Sequence, residues 1–331
     1  MQTVTINTIA EFVARSDALG GPGVAACEAY WAEVGFDFGP LAMPDDPFSE
    51  EYVAAQIKFY EAMSGRRLDQ GLNEISNIDI PAHVRSSNPY GWPAPGELAT
   101  HIGRLSAAVK AGAPPRGAKM LDMGCGWGLS AEICAYFGMS VTAVDISPDF
   151  VSLVRQRAEA GKRDIEVVQA TFDDFASDKI FDMILFYECF HHAVRPWEVL
   201  KRMRRMMGSR SALVLAGEPI NDFWPHWGIR LDHLSIYCVH KFGWFESGWS
   251  RRFLEDMFAR VGFSVEFASG GIGTQEQDVL VARPKVTSRM DAAELSEASP
   301  RMGGLSNPPR SCRWARAGFC FLKARAACSS S

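Results

Sequence analysis

Short apolar runs alternate with amphipathic segments between residues 118 and 284, and this alternation organises the middle of the chain. Continuous apolar runs of strand length are typical of strands covered on both faces, as in parallel sheets. The predicted strands are a first run that ends at Asp122, followed by Ser140–Val144, Ile165–Ala170, Phe181–Phe186, Ala212–Ala216, Phe263–Ala268 and Asp278–Ala282.

Helical segments lie between these strands and also precede them. The predicted helices are Ala25–Val34, Glu50–Ser64, Glu97–Lys110, Leu129–Phe137, a segment that Ser147 and Pro148 begin, Pro196–Met207 and Arg251–Val261. Strands that alternate with helices predict an α/β fold with a doubly wound, mostly parallel, seven-stranded sheet. The chain is predicted to divide into a helical region 1–117, a core 118–284 with an aromatic insertion 219–250, and an irregular, disordered tail 285–331.

The stretch from Lys119 to Ser130, K-M-L-D-M-G-C-G-W-G-L-S, carries the strongest chemical signal. Its glycines allow a sharp turn out of a strand and a close approach to a ligand. The helix that follows offers free N–H groups at its N-terminus. This arrangement predicts a site for a nucleotide-like cofactor. The spacing is G-x-G-x-G, whereas the dinucleotide fingerprint is G-x-G-x-x-G, so a nicotinamide-dependent dehydrogenase is disfavoured.

Four motifs resemble the class I methyltransferases that use S-adenosylmethionine: L-D-M-G-C-G-W-G, V-D-I-S, F-D-M-I-L-F-Y-E-C-F-H-H and G-F-S-V-E-F. The resemblance covers Ala118 to Pro284, about half of the chain. It implies the Rossmann-like methyltransferase fold, S-adenosylmethionine as the cofactor, and a final hairpin with one antiparallel strand. It also implies that the helices of region 1–117 form a lid over cofactor and substrate.

The resemblance places the cofactor against the glycine loop and the ends of the next strands. The implied cofactor-binding residues are Asp122, Gly124, Cys125, Gly126, Trp127, Gly128, Asp145, Ile146, Thr171, Phe172 and Tyr187. Asp145 follows the loop by about 20 residues, which suits hydrogen bonds to ribose hydroxyls. The alternative role of Asp145 is a helix N-cap, but Ser147 is the better capping residue.

One motif departs from the family pattern. After the third strand many members carry Gly-Asp-Ala, with the aspartate near the adenine amino group. Here the matching residues are Ala170, Thr171 and Phe172, and Asp173 and Asp174 follow slightly late. The backbone N–H of Phe172 remains able to bond an adenine nitrogen.

A methyl transfer to a hydroxyl needs a base near the carboxyl ends of the fourth and fifth strands. The candidates are His191, His192 and Glu188 after strand four, and His233 in the insertion. The alternative for either histidine of the pair is to pack the loop that follows. The aromatic side chains of the insertion either enclose an acceptor or pack the insertion onto the sheet. No metal-ligand spacing includes His191, His192 or Asp232, so no metal site is predicted.

Composition narrows the function further. The chain has 331 residues, 47% of them hydrophobic, and a net charge of −5, which argues against a nucleic-acid partner. No apolar run reaches the roughly 18 residues that a membrane span needs, and the N-terminus lacks the features of a secretory signal, so a cytoplasmic location is expected. The eight cysteines form no C-x-x-C pair.

The sequence therefore predicts methyl transfer from S-adenosylmethionine to a hydroxyl of a small molecule or of a sugar in a glycan or glycoconjugate. A quinone or lipid-like ring is the alternative acceptor. An alternative of another class is a catalytically silent, cofactor-binding subunit of a larger assembly. The sequence leaves the oligomeric state open.

Overall fold

The computed structural model describes residues 2–75, 77–91, 94–221, 223–268 and 279–285. The strands are β1 Gln2–Val4, β2 Val34–Phe36, β3 Lys119–Met123, β4 Ser140–Asp145, β5 Ile165–Gln169, β6 Phe181–Tyr187, β7 Met207–Ala216, β8 Trp227–Ile229, β9 Ser247–Trp249, β10 Phe263–Ala268 and β11 Val279–Pro284. The α-helices are α1 Ile9–Ala18, α2 Ala25–Trp31, α3 Glu50–Ser64, α4 Gln70–Asn73, α5 Ile80–Arg85, α6 Pro95–Gly112, α7 Leu129–Tyr136, α8 Pro148–Ala160, α9 Pro196–Arg205, α10 His233–Phe242 and α11 Arg251–Arg260. Short 3-10 helices cover Ile6–Thr8 and Phe190–His192.

Seven strands form one sheet in the order β10-β11-β7-β6-β3-β4-β5. The strands from β3 to β7 pair in parallel, and β11 is antiparallel to both β7 and β10. The predicted α/β fold, the doubly wound and mostly parallel sheet, and the final hairpin are confirmed. Asp278, the predicted first residue of the last strand, lies outside the described residues.

Alternate residues of the central strands belong to two separate apolar clusters, one on each face of the sheet. Leu121 and Ile184 join the cluster that includes the N-terminal helices, the insertion, α9 and α11. Met120 and Met183 point to the opposite face and join a cluster with α6 and α7. Since side chains alternate along a strand, a strand that is apolar throughout must be covered on both faces. This explains why β6 has almost no polar residue.

Three element boundaries differ from the sequence prediction for non-local reasons. Strand β7 begins at Met207 rather than Ala212, because Met207 pairs with Phe181 across an irregular stretch of β6. Helix α9 accordingly ends at Arg205. Helix α2 ends at Trp31, because Val34 pairs in parallel with Gln2 and starts β2.

The N-terminal region and the aromatic insertion bind each other through buried polar contacts. The Tyr52 hydroxyl donates to the carbonyl oxygen of Trp227 at 2.7 Å, and the Ile229 N–H donates to Gln56 Oε1 at 3.1 Å. Inside the insertion, β8 and β9 pair as an antiparallel ribbon beside α10. The division at residues 117 and 284 remains a prediction, and the predicted tail lies outside the described residues except for Lys285.

The bond from Tyr52 gives a direct test of this association. We expect Tyr52→Phe to lower the free energy of unfolding by about 1 kcal/mol, because one buried hydrogen bond to Trp227 is lost. The matched control is Tyr136→Phe, at a side chain that is 86% exposed. Urea denaturation of both variants checks the prediction, and equal midpoints for the two would contradict it.

Candidate active site

Three glycines in left-handed backbone conformations form the turn between β3 and α7. The φ angles of Gly124, Gly126 and Gly128 are 67°, 49° and 87°. A Cβ atom on Gly124 would lie 2.9 Å from Cys189 Sγ, so Gly124 is required both by its φ and by this close approach. The N–H groups of residues 124 and 125 donate to the Val144 carbonyl oxygen at 2.8 and 3.0 Å. The loop is thus fixed to the end of β4.

The carboxylate of Asp145 organises the next turn. Its Oδ2 accepts a hydrogen bond from the Gly126 N–H at 2.8 Å, and its Oδ1 accepts one from the Ser147 N–H at 2.9 Å. Ser147 does occupy the N-cap position of α8, with Pro148 in the first turn. The predicted cap by the Ser147 side chain is wrong, since that side chain makes no capping hydrogen bond among the described residues. The carboxylate of Asp145 holds this turn instead, and Asp145 also faces the cleft described next.

An open cleft of about 610 Å³ lies at the carboxyl ends of β3, β4, β5 and β6. Five of the predicted cofactor-binding residues line it: Gly124, Asp145, Ile146, Thr171 and Phe172. His192 lines it as well, alone among the predicted catalytic residues. The other lining residues are Gln70, Glu74, Phe150, Ala170, Asp173, Cys189 and Ala193.

The glycine loop is covered from outside by the N-terminal region. The indole of Trp127 lies 4.5 Å from the ring of His83 and 5.1 Å from that of Phe150, measured between centroids. Tyr90 packs against the same indole at 6.2 Å. Trp127 is therefore buried between the glycine loop and the helices that cover it. Trp127, Gly126 and Gly128 are not among the residues that line the cleft. Trp92 lies outside the described residues.

Three other predicted cofactor residues, Asp122, Cys125 and Tyr187, lie below the cleft rather than on its wall. Asp122 is fully buried, and its Oδ2 accepts a hydrogen bond from Ser130 Oγ at 2.6 Å. Burial raises the pKa of the Asp122 carboxyl to about 7, with a smaller contribution from the nearby charge of Asp145. Burial also raises the pKa of the Cys125 thiol. The Tyr187 hydroxyl lies 2.5 Å from His101 Nδ1 on α6, and burial raises its pKa too.

Glu188, a predicted catalytic residue, is engaged elsewhere. It adopts a left-handed backbone conformation, φ 51°, at the end of β6. Its Oε1 accepts a hydrogen bond from Arg104 Nη1 of α6 at 2.8 Å. Burial raises the pKa of Glu188 to about 8, although the guanidinium opposes that rise. Its side chain faces α6 rather than the cleft.

The loop after β6 is held by Glu218, at the end of β7. Glu218 Oε1 accepts hydrogen bonds from the N–H groups of Cys189 and Phe190, both at 2.8 Å. Its Oε2 accepts from the His191 N–H at 3.1 Å and lies 2.8 Å from His191 Nδ1. His191 is 1% exposed and its Nε2 lies 3.4 Å from Glu246 Oε2. His191 is thus enclosed between two carboxylates.

His192 is placed differently from its neighbour. Its Nδ1 lies 3.3 Å from Glu74 Oε1, and its carbonyl oxygen accepts a hydrogen bond from Gln70 Nε2 at 2.7 Å. Glu246 lies behind the two histidines. Burial opposes the ionisation of Glu246, but His191, His192 and Arg230 together hold its pKa well below the usual range.

His233 and the tryptophans of the insertion are packing residues. His233 stacks on Trp31 with centroids 5.9 Å apart, and its Nε2 lies 2.9 Å from the Val34 carbonyl oxygen. Trp224 and Trp227 donate their indole N–H groups to carbonyl oxygens of Ile229 and Pro47. All of these lie away from the cleft, so the insertion reaches the site through Glu246 and its neighbours rather than through stacked rings.

Sequence analysis missed the contribution of α4. Gln70 and Glu74 form one wall of the cleft, opposite the strand ends. They lie about 50 residues before the glycine loop, in a segment without a motif. Phe150 carried a local signal, since the first turn of the helix after Asp145 must face the same edge of the sheet.

Comparison with known proteins agrees with this geometry. Residues 121–215 match the family described as a methyltransferase domain. The ubiquinone biosynthesis O-methyltransferase of Xanthomonas axonopodis pv. citri (strain 306) is 28% identical over 110 residues, which are 33% of this chain and 46% of that protein. The protein of the same name from Glaesserella parasuis serovar 5 (strain SH0165) is 29% identical over 106 residues, 30% of this chain and 45% of that protein. The chain thus spans less than half the length of these curated relatives.

Solved structures with a similar fold include a glycopeptide N-methyltransferase complexed with S-adenosylmethionine. It is 18% identical, has a TM-score of 0.46, and the alignment covers 56% of this chain and 94% of that one. A second is the 1,6-didemethyltoxoflavin-N1-methyltransferase of Burkholderia thailandensis, with 17% identity, a TM-score of 0.44, and coverage of 57% and 79%.

The sheet order and the glycine loop with Asp145 define a class I methyltransferase fold. The family match identifies residues 121–215 as part of a class I methyltransferase domain, and the cofactor of this class is S-adenosylmethionine. The residues fit that cofactor, since the left-handed glycines keep the loop free of side chains and Asp145 faces the cleft. None of the helices in the described part of the chain is long and apolar enough to cross a membrane.

The buried carboxyl of Asp122 predicts a pH effect on stability. Its pKa is raised from 3.8 to about 7, so its contribution to stability is full below pH 3.8 and is lost as the pH rises through about 7. The loss is on the order of 1.4 kcal/mol per pH unit inside that window. We therefore expect the melting temperature of Asp122→Asn, relative to that of the natural protein, to rise between pH 4 and pH 7. Differential scanning calorimetry without cofactor measures the difference.

The control variant for this measurement is Asp164→Asn, which makes the same replacement at an exposed side chain. A difference between Asp122→Asn and the natural protein that stays constant with pH would show that the buried carboxyl ionises as it does in the unfolded chain.

Proposed function

We propose that this protein transfers a methyl group from S-adenosylmethionine to a hydroxyl of a small molecule, or of a sugar in a glycan or glycoconjugate. The observation that carries this proposal is the continuity of the cleft. Asp145 and Ile146 line it together with Gln70, Glu74 and His192, so one cavity joins a cofactor end to an acceptor end.

The cofactor end is built from the strand ends. In this proposal the Asp145 carboxylate accepts hydrogen bonds from the ribose hydroxyls, with lone pairs beyond those that hold Gly126 and Ser147. Phe150 and Phe172 flank the adenine with their rings, and the bound cofactor supplies the activated methyl group. The methionine part of the cofactor lies near the glycine loop, on the side of the loop that faces Tyr187 at the end of β6.

The acceptor end is polar and belongs to other parts of the chain. Gln70, Glu74 and His192 present an amide, a carboxylate and an imidazole to one side of the cleft. Such groups suit a hydroxyl-rich acceptor, because each can donate or accept a hydrogen bond. Of the candidates His191, His192, Glu188 and His233, we propose His192 as the residue that activates the acceptor hydroxyl, with Glu74 beside it to receive the proton.

A ring hydroxyl of a quinone precursor is the second candidate acceptor. The names of the curated relatives and the apolar part of the wall, Phe172 and Ala193, favour it. Methyl-labelled S-adenosylmethionine incubated with a panel of sugars and of catechol-type rings separates the two acceptors. Cofactor binding without turnover on any acceptor would instead favour a silent subunit of a larger assembly.

The cofactor assignment predicts selective stabilisation. We expect S-adenosylhomocysteine at about 100 times its Kd to stabilise the fold by about 2.7 kcal/mol, because it binds only the folded state. NAD should leave the melting temperature unchanged. Asp145→Asn should bind S-adenosylhomocysteine about tenfold or more weakly, since charge-assisted bonds to ribose are weakened, while Asp164→Asn should bind normally. Stabilisation by NAD alone would refute the assignment.

The role of His192 predicts a loss of turnover without a loss of cofactor binding. We expect His192→Ala to reduce kcat by roughly 10²–10⁴-fold, the usual range for a group that assists proton transfer. Calorimetry with S-adenosylhomocysteine checks that cofactor affinity is kept. The control is His226→Ala, a histidine of the insertion outside the cleft. Full activity of His192→Ala would point to an amine acceptor that attacks without a base.

A further inference from the structure

Three metal-ligating side chains meet where the insertion contacts the loop after β6. Ligand atoms of His191, His192 and Glu246 all lie within 4.8 Å of one another. The three residues are 1%, 5% and 0% exposed. The two histidines belong to the 3-10 helix at residues 190–192, and Glu246 immediately precedes β9, so the cluster joins two distant parts of the chain.

The imidazole of His191 faces a carboxylate on each side. An ionised carboxylate only accepts hydrogen bonds, so His191 Nδ1 carries a proton and donates it to Glu218 Oε2 at 2.8 Å. Nε2 then faces the second carboxylate, that of Glu246, at 3.4 Å. Two lone pairs would repel each other there, so either a proton on one of the two groups or a metal ion lies between the two atoms.

The distance leaves room for a metal ion between the two atoms. A charge-assisted N–H···O bond is typically about 2.7–2.9 Å long, well below the 3.4 Å between His191 Nε2 and Glu246 Oε2. Two ligand atoms each about 2.1 Å from a tetrahedral Zn²⁺ are about 3.4 Å apart. The bond from His191 Nδ1 to Glu218 is also the outer contact that fixes the ring of a zinc-binding histidine.

The local charge points the same way. Carboxylates of Glu74, Glu218 and Glu246 surround the two histidines. Arg230 Nη1 lies 3.7 Å from Glu246 Oε2 and supplies one positive charge, which it shares with Asp232 through an Nε–Oδ2 hydrogen bond of 2.9 Å. With neutral imidazoles the cluster carries an excess of buried negative charge, which is costly unless a cation compensates it. A divalent ion would compensate it in place of the positive charge that protonated histidines supply when no ion is bound.

We propose that His191, His192 and Glu246 bind one divalent transition-metal ion, with Zn²⁺ as the best match. Two imidazoles and one carboxylate form a donor set that zinc uses in catalytic sites, which keep a further coordination position for water or substrate. His192 also lines the cleft, so the ion lies beside its acceptor end. Provided that the proposed function holds, the ion would polarise the acceptor hydroxyl, His192 would act on that hydroxyl only as a ligand of the ion, and Glu74 would receive the proton.

The experiment measures metal binding without cofactor or acceptor. The untagged full-length protein is purified from zinc-supplemented cells, and its metal content is determined by plasma mass spectrometry. The EDTA-treated protein is then titrated with Zn²⁺ in a calorimeter. We expect one ion per chain in the natural protein and in His226→Asn, which removes a histidine outside the cluster. We expect loss of the ion in Glu246→Gln, and affinity lower by about 10–100-fold in Glu218→Gln.

A second measurement covers the case in which Glu246→Gln does not fold. X-ray absorption at the zinc edge of the natural protein counts its imidazole ligands, and we expect two. A metal-free protein that shows no heat of Zn²⁺ binding would overturn the proposal. A bound zinc without two imidazole ligands would overturn it as well. Because none of these readouts involves methyl transfer, failure of the proposed function would leave the metal result intact.

Discussion

One carboxylate, that of Glu218, holds together the parts of this site that come from different strands. It accepts hydrogen bonds from three consecutive N–H groups, those of Cys189, Phe190 and His191, and contacts the His191 ring. Hydrogen bonds to a charged group contribute about 1.5–3 kcal/mol each, so this set outweighs most single contacts in the domain. It fixes the 3-10 helix that presents Cys189 and His192 to the cleft. The end of β7 thereby determines the geometry of the loop after β6.

The sheet could be predicted from the sequence because its signals are local. Each central strand is an apolar run bounded by turn residues, and the alternation with helices implies parallel pairing. The ribbons β1–β2 and β8–β9 could not be predicted, because each strand in them has only three residues and forms through pairing with a distant partner. The early start of β7 at Met207 has the same cause. The hydrophobic periodicity of a segment shows which of its residues face the core. The register in which a strand pairs with a distant strand depends on the whole fold.

The two ends of the cleft also differ in how well local sequence signals predict them. The proposed cofactor end comes from a glycine loop and from strand ends, so the sequence could predict that Gly124, Asp145 and Phe172 lie together, and all three line the cleft. The acceptor end includes Gln70 and Glu74 of a short helix with no motif. The place of His233 in an aromatic insertion predicts a role in catalysis, but a tryptophan-rich segment packs readily on an apolar surface. The adjacent histidines differ because the turn directs one ring towards Glu218 and the other towards Glu74.

The acceptor end therefore depends on an association outside the sheet. Glu74 accepts a hydrogen bond from the Phe245 N–H at 2.8 Å, and the guanidinium of Arg66 donates to the carbonyl oxygens of Phe242 and Lys241. These bonds connect the N-terminal region to the insertion without involving β3, β4 or β5, which hold the cofactor end. Changes at this association can alter the acceptor wall while the glycine loop and Asp145 stay in place. In the proposed function, the fold thus separates the geometry that receives the cofactor from the geometry that selects the acceptor, and the loop held by Glu218 lies between the two.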